Sequence, residues 1–306
     1  MKFFKFIIFP IIFFNIYYAF AADNLEKNNI NLKLENDLIG SNKYYTTIHE
    51  DTLITIARKY GISFADILSA NGDMDPWIPG SNKNLLIPKE HILPFGNREG
   101  IIINIGDLRL YYFKNNKIIR TFPIGIGRSG WETPLGKTMI IEKKENPIWI
   151  PPESLKIEDP ELPDVVGPGP ENPLGTRALY LSMPAYLLHG TNKPYGVGMK
   201  VSHGCIRLYP EHIEELYELV TINTRVNIID QPIKAGWKNN QLFIEVHKLP
   251  KYVRENSQNL TTNNNLLPLA YEIVQKAAAL DILIVDWKKV KSAVNEAKGI
   301  PTIISK

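Results

Sequence analysis

The sequence predicts a mainly β domain, with a small βααβ module before it and a helical appendage after it. Three observations carry this. Between Ile101 and Val246, β-branched and aromatic runs alternate with Gly, Asn and Pro turn signals. Residues 44–89 hold two short helix patterns between two strand patterns. Beyond a polar stretch, 255–265 (ENSQNLTTNNN), two longer helix patterns close the chain.

In chain order, Lys2 and Lys5 precede an apolar stretch, Phe6 to Phe14, and Ala19-Phe20-Ala21 has the small-x-small form of a cleavage site. Residues 1–21 are therefore expected to be a cleavable signal peptide. The run is short for a membrane span and is broken by Pro10 and Asn15. This places the mature chain outside the cytosol. Residues 22–43 are polar and mixed, and read as a mobile linker. In the module, Tyr45 to His49 forms a strand. Asp51 caps a helix through Lys59, with Leu53, Ile56, Ala57 and Tyr60 on one face. Ser63 caps a second helix ending at Asn71-Gly72, and Leu85 to Pro88 returns as a strand. His91 falls in the following linker.

The main domain is placed at 98–231. Ile101 to Ile105, Leu108 to Phe113 and Lys117 to Pro123 form a meander, with turns at Gly106-Asp107 and Asn115-Asn116. Gly125 to Gly130 spells G-x-G-x-x-G, but a dinucleotide fold needs a helix next. Trp131 to Gly136 is a turn instead, followed by a strand from Lys137 to Glu142. Residues 145–176 carry eight prolines and read as a lid or wall over a cleft. Ala178 to Ser182 and Tyr186 to His189 are strands. Pro210 opens a helix through about Val220 that buries Ile213, Leu216 and Tyr217. Arg225 to Ile229 and Gln241 to Val246 are read as the domain's last strands. Residues 232–306 hold a C-terminal strand and the helical appendage, Leu266 to Leu280 and Asp286 to Lys298, the second with an Asp cap and Gly299 past its end.

Composition bounds the function. A net charge of +3 over 306 residues, with no long basic run, argues against nucleic acid as a partner. One cysteine excludes an intrachain disulfide, and no His/Cys cluster has zinc-ligand spacing. No metal or cofactor is expected.

The chemistry concentrates in His189 to Leu208, HGTNKPYGVGMKVSHGCIRL, which holds the sole cysteine, Cys205, and two of the six histidines, His189 and His203. Glycines at 190, 196, 198 and 204 let the backbone bend. A thiol beside a histidine base suits acyl transfer through sulfur. Backbone N–H groups of Gly204 and Cys205 can hold an oxyanion. Arg207 can grip a carboxylate, and Ser202 can hydrogen-bond the loop backbone. No acidic residue lies within 189–208, so a backbone carbonyl is expected to orient the base. His203 is given a supporting role in site geometry or substrate contact. The residues alone support a Cys/His acyl transferase or hydrolase. A papain-like protease fits poorly, because there the Cys precedes the His.

His189-Gly190 with Ser202-His203-Gly204-Cys205-Ile206-Arg207 resembles the signature of the L,D-transpeptidases (the YkuD domain), especially the periplasmic enzymes that attach Braun-type lipoprotein to peptidoglycan. Asp51 to Leu53, Ile56 to Ser63 and Leu85 to Pro88 resemble a LysM module, with Glu50 where that family usually has glycine. The resemblance implies a YkuD-like β-sandwich with a short helix, His189 as base and Gly190 as its carbonyl orienter. It places Thr133, in Thr133-Pro134-x-Gly136, near the substrate cleft. It implies that Cys205 attacks a peptidoglycan tetrapeptide stem, expels D-alanine and passes the acyl group to an amine. The acceptor is a Braun-type lipoprotein lysine or a second stem, or water in a carboxypeptidase. A non-catalytic wall-binding protein is the alternative of a different class. A low-pKa thiol outside the cytosol would need a periplasmic thiol reductant.

Overall fold

A computed structural model describes residues 36–72, 74–248 and 266–306. The signal segment and the 255–265 stretch lie outside the described residues. The N-terminal unit comprises β1 (Leu38–Ile39), β2 (Lys43–Thr46), α1 (Leu53–Tyr60), α2 (Phe64–Asn71), β3 (Asn84–Ile87) and β4 (His91–Ile92). β2 and β3 pair antiparallel, which gives the βααβ order read from the sequence. The cap of α1 differs from expectation. Thr52, not Asp51, accepts from the Thr55 N–H in a reciprocal capping box. Asp51 is spent on the Tyr45 hydroxyl and the Ile48 N–H. The linker reading of 22–43 is also corrected at its end. β1 pairs with β4, and the Asp37 N–H donates to the Trp237 carbonyl at 2.8 Å. Two-residue strands carry too little pattern to be read in a polar stretch.

β5 (Gly100–Asn104), β6 (Arg109–Lys114), β7 (Lys117–Pro123), β8 (Ile126–Gly127), β9 (Gly136–Glu145), α3 (Glu153–Glu158), β10 (Arg177–Leu181), β11 (Leu187–His189), β12 (Lys200–Ser202), β13 (Ile206–Arg207), α4 (Pro210–Leu219) and β14 (Arg225–Ile229) build the main domain. Eight strands form one mixed sheet in the order β13-β11-β10-β9-β14-β5-β6-β7, and β8 pairs with β12 beside it. The β6–β7 hairpin turns on Asn115 and Asn116, both at positive φ, as an Asn-Asn pair can. No helix follows Gly130, so the glycine-rich piece is a turn and not a dinucleotide loop.

The module has no core of its own. Leu53, Ile56, Ile67, Leu85 and Ile87 join Ile101, Ile103, Leu110, Leu216 and Ile228 in one continuous apolar cluster. Gly198 shows how close the approach is. It sits at φ +85°, and a Cβ there would lie 2.4 Å from the Phe64 nitrogen.

Residues after β14 form β15 (Ile233–Lys238), β16 (Gln241–Val246), α5 (Leu266–Ala278), α6 (Trp287–Glu296) and β17 (Thr302–Ile303). β16 was expected to finish the main sheet. It lies instead in a separate three-stranded sheet, β15-β16-β17, with a second core under α5 and α6. β15 was not read because Lys234 and Gly236 interrupt its apolar run. Asp286 caps α6 as expected, accepting from Lys288 and Lys289.

Where the units meet, charge is buried. The Lys234 ammonium, fully buried, donates to Asp107 at 2.7 Å and to the Tyr111 hydroxyl at 2.9 Å, and lies 3.2 Å from Glu245. Glu245 also bonds His247 (2.7 Å) and His91 (3.3 Å). Arg109 pairs with Asp66 of α2 at 2.8 Å. His91 is thus a buried partner of Glu245 rather than a linker residue. Asp107, Glu245 and His247 come close enough to suit a metal ion, but the Lys234 ammonium already sits between the two carboxylates.

Candidate active site

The edge of the large sheet positions the reactive residues. β11 and β13 run parallel, with Leu188 opposite Ile206 and His189 opposite Arg207. Leu188 and Ile206 are fully buried in the core. Side chains alternate along a strand, so His189 and Arg207 face the other way, and Cys205 directly precedes β13 on the same edge. Cys205 and His189 line one cavity of about 990 Å³ together with His203 and Arg207.

The turn between β12 and β13 is tied from several sides. Gly204 sits at φ +100°, where a Cβ would come 2.8 Å from the Tyr186 ring. The Ser202 hydroxyl donates to the Cys205 carbonyl at 2.6 Å. The Thr133 hydroxyl donates to the Gly204 carbonyl at 2.8 Å and accepts from the Gly127 N–H at 3.0 Å. Ser202 was expected to hydrogen-bond the loop backbone or contact substrate, and Thr133 to lie at the substrate cleft. Both are buried and spend their hydroxyls on holding the loop, which bears out the backbone reading of Ser202 and replaces a substrate contact for either. Gly125 exchanges both backbone hydrogen bonds with Arg207, so the glycine-rich piece braces the same turn.

The protonation state also departs from expectation. Burial, the largest influence, raises the Cys205 thiol above its ordinary value, although a Leu187 backbone contact and Arg207 pull it down. The thiol lies 3.6 Å from the Ala185 carbonyl, which can take its S–H. Ala185 is held at φ +69°, a strained conformation for a residue with a Cβ. His189 is 4% exposed, and burial together with Arg207 pushes its pKa down to about 3. The carbonyls of Gly190 and Pro173 favour its cation but are outweighed. Its Nδ1 is buried and completes no hydrogen bond. Burial thus works against both the thiolate and the imidazolium in the free site. This direction runs against the low-pKa thiolate expected from the sequence, because burial disfavours both charges of the ion pair.

Arg207 stays charged but is largely buried, and burial lowers its pKa. Its Nε has no hydrogen-bond partner, and no carboxylate pairs with it among the described residues. Such a guanidinium is an open binding site for an anion.

Residues 145–176 form a wall of this cavity, contributing Trp149, Leu155 and Glu158 among others. α3 is latched to the catalytic turn. Arg128 donates to Glu158 at 2.6 Å and to Nε2 of His203 at 3.0 Å, and the Trp131 indole donates to Glu158 at 2.9 Å. The Trp131 ring meets His203 edge-on at 5.0 Å. Nε2 of His203 also lies 3.2 Å from Glu158 Oε2, and burial, the largest influence, lowers the pKa of the ring. Sequence reading did not single out Arg128, Trp131, Glu158 or Ala185. Only their nearness to GIGRSG and to the proline-rich stretch hinted at a role.

A family description of the L,D-transpeptidase catalytic domain matches residues 98–228, and one of the LysM domain matches residues 45–76. The chain is 42% identical over 222 residues to the probable L,D-transpeptidase YcfS of Escherichia coli K12, covering 69% of each chain. The chain belongs to the L,D-transpeptidase family. It is also 40% identical over 219 residues to the probable L,D-transpeptidase YbiS of the same strain, covering 69% of this chain and 71% of that one. The probable L,D-transpeptidase ErfK/SrfK of E. coli K12 aligns over 277 residues at 35% identity, covering 88% of this chain and 87% of that one. The L,D-transpeptidase fold thus brings His189, His203, Cys205 and Arg207 to one cavity, with Gly190 next to His189 in the chain. Membership supports transpeptidase activity. The other histidines lie elsewhere. His247 and His91 are in the buried charge network, and His212 packs between Phe122 and Tyr209 on α4.

Proposed function

We propose that the protein is a cysteine-dependent L,D-transpeptidase that remodels peptidoglycan outside the cytoplasm. The observation that carries this is the convergence of Cys205, His189 and an unpaired Arg207 on one side of the β11–β13 edge, inside one cavity. The LysM domain adds a second surface suited to the same polymer. A cleaved signal at 1–21 would deliver the chain to the periplasm.

A stem carboxylate docks on Arg207. This weakens the positive field that depresses His189, so the imidazole becomes a better base as substrate arrives. Cys205 Sγ attacks the carbonyl carbon of the L-centre of the stem diamino acid while its proton passes to His189. The Gly204 carbonyl is held by Thr133, so in a trans peptide the Cys205 N–H points to the opposite side, suited to receive the oxyanion. Collapse breaks the peptide bond, and His189 protonates the departing amine of D-alanine. The thioester is then attacked by an acceptor amine, whose proton goes to His189. Expelled sulfur takes that proton back, restoring the neutral pair. His203 acts with Arg128 and Glu158 in holding the α3 wall. The acceptor is a lipoprotein lysine or a second stem, with water giving a carboxypeptidase. The case for a dedicated thiol reductant weakens, since a resting neutral thiol oxidises slowly.

Incubating the protein with a tetrapeptide stem should give an enzyme mass increased by the tripeptide acyl group, with D-alanine released. Adding a lysine-ended peptide should shift the product to the amide. No acyl-enzyme and no D-alanine would refute the reading, and D-alanine release without amide would select the carboxypeptidase. The protonation state has its own readout. Alkylation of Cys205 by iodoacetamide should be slow at neutral pH and still rise above roughly pH 9, the ordinary thiol value. A rate plateau below pH 7 would show a preformed ion pair instead.

A further inference from the structure

The LysM unit touches the catalytic segment on both sides of Arg207. The point of contact is its α1–α2 turn, Gly61 to Phe64. Ahead of Arg207, Gly198 is backed against this turn at φ +85°. A Cβ there would come 2.4 Å from the Phe64 nitrogen and 2.7 Å from the Ser63 Cβ. Just after Arg207, the Tyr209 hydroxyl donates to the Ile62 carbonyl at 3.3 Å. Tyr209 is 2% exposed and Ile62 1%, so water does not compete for that bond. Gly61 lies equally close to α4, since a Cβ on it would sit 3.2 Å from His212 Nε2.

Between these two anchors the chain passes along Arg207. α1 packs against the short 3-10 turn Pro194–Gly196. A Cβ on Gly196 would lie 3.6 Å from Arg207 Nη1, so the backbone of this turn runs beside the guanidinium. The Gly196 carbonyl also abuts Gly125, where a Cβ would come within 2.5 Å of it. Gly125 is the residue that exchanges backbone hydrogen bonds with Arg207. Val197 is fully buried, and the Gly198 N–H donates to the Ile124 carbonyl at 3.0 Å. The guanidinium pairs with no carboxylate among the described residues, and its Nε completes no hydrogen bond. Packing is therefore what sets the direction of its fork.

We propose that the LysM module is a positioning element of the active site. Ile62, Ser63 and Phe64 clamp Gly198 and Tyr209, and the Pro194–Gly196 turn held between them aims Arg207 into the cavity. A module that served only as a tether could be joined to any face of the enzyme. This one is joined to the segment that carries the anion-binding residue, through a core common to both units. Ile62, Ser63 and Phe64 line no part of the catalytic cavity, so they act through Arg207. The role rests on the proposed reaction in one respect, that Arg207 receives a stem carboxylate.

Calorimetric titration with a tetrapeptide stem tests this in the Cys205→Ala chain, which can bind stem without consuming it. Adding Gly198→Ala should weaken binding about tenfold, and adding Tyr209→Phe about threefold. Arg207→Met should cost about tenfold or more, and Gly198→Ala placed on top of it should cost nothing further, because the clamp acts only through Arg207. Gly72→Ala is the control. Gly72 also sits at positive φ, +72°, in the same module, but a Cβ there meets nothing within 4 Å. It imposes backbone strain without touching the catalytic segment and should leave stem affinity unchanged. Unchanged affinity in both Gly198→Ala and Tyr209→Phe would overturn the proposal. So would a loss that adds in full to that of Arg207→Met, or an equal loss in Gly72→Ala. Melting curves show whether each variant is folded, and Tyr209→Phe decides the matter if Gly198→Ala is not. Absence of stem binding by Cys205→Ala itself would remove the docking step and the positioning role with it, whereas D-alanine release by the parent tests the reaction separately.

Discussion

Cys205→Ala is expected to leave the fold intact and abolish transfer from tetrapeptide stems, a fall of at least about 10⁴-fold in kcat. The thiol makes a long hydrogen bond to Ala185 and a backbone contact with Leu187, so little stability is lost with it. His189→Ala should cost about 10² to 10⁴-fold, because the sulfur then has no group to take its proton at the moment of attack. Residues that act as a unit are not additive. The double variant should therefore be no slower than Cys205→Ala alone. Steady-state release of D-alanine measures all three. Residual turnover in Cys205→Ala near the parent rate would end the case for a sulfur nucleophile.

Lys234→Met is expected to cost about 3–5 kcal/mol of stability, or roughly 10 °C in melting temperature. The ammonium is fully buried and is held between Asp107 and Glu245. Removing it leaves two carboxylates in the interior with less positive charge than they need. Coulombic attraction by Lys234 and the hydrogen bonds from His247 and His91 hold the Glu245 pKa well below the carboxylate range against burial. A contrasting variant is Lys276→Ala. Its exposed partner Glu272 sits one helical turn away at 2.6 Å, and its loss should cost under about 0.5 kcal/mol. Urea unfolding of both variants makes the comparison. Equal midpoints would show that the buried network contributes no more than a surface pair.

Much of the site was legible because its residues are close in sequence. His189 and Cys205 are sixteen positions apart, and the glycines between them announce a bent segment. Arg207 was legible for the same reason. The latch was not, since Arg128, Glu158 and His203 come from three separated stretches and meet only when the proline-rich wall folds over the turn. Ser202 and Thr133 carry the same hydroxyl whether they bind a ligand or a backbone. Only burial and the partners at Gly204 and Cys205 tell the two apart.

The fold divides in a similar way. Residue order alone determined the βααβ module, the β5–β6–β7 meander, the helix after Pro210 and the capped C-terminal helix, because each rests on local periodicity and turn chemistry. It also determined that a thiol and an imidazole would share one short segment of the chain. Tertiary structure decided that the module and the main domain share a core, that β16 belongs to a separate sheet, and that burial raises the pKa of the thiol. Those outcomes depend on which surfaces lose water. Desolvation is set by neighbours distant in the chain, and no spacing along the sequence records it.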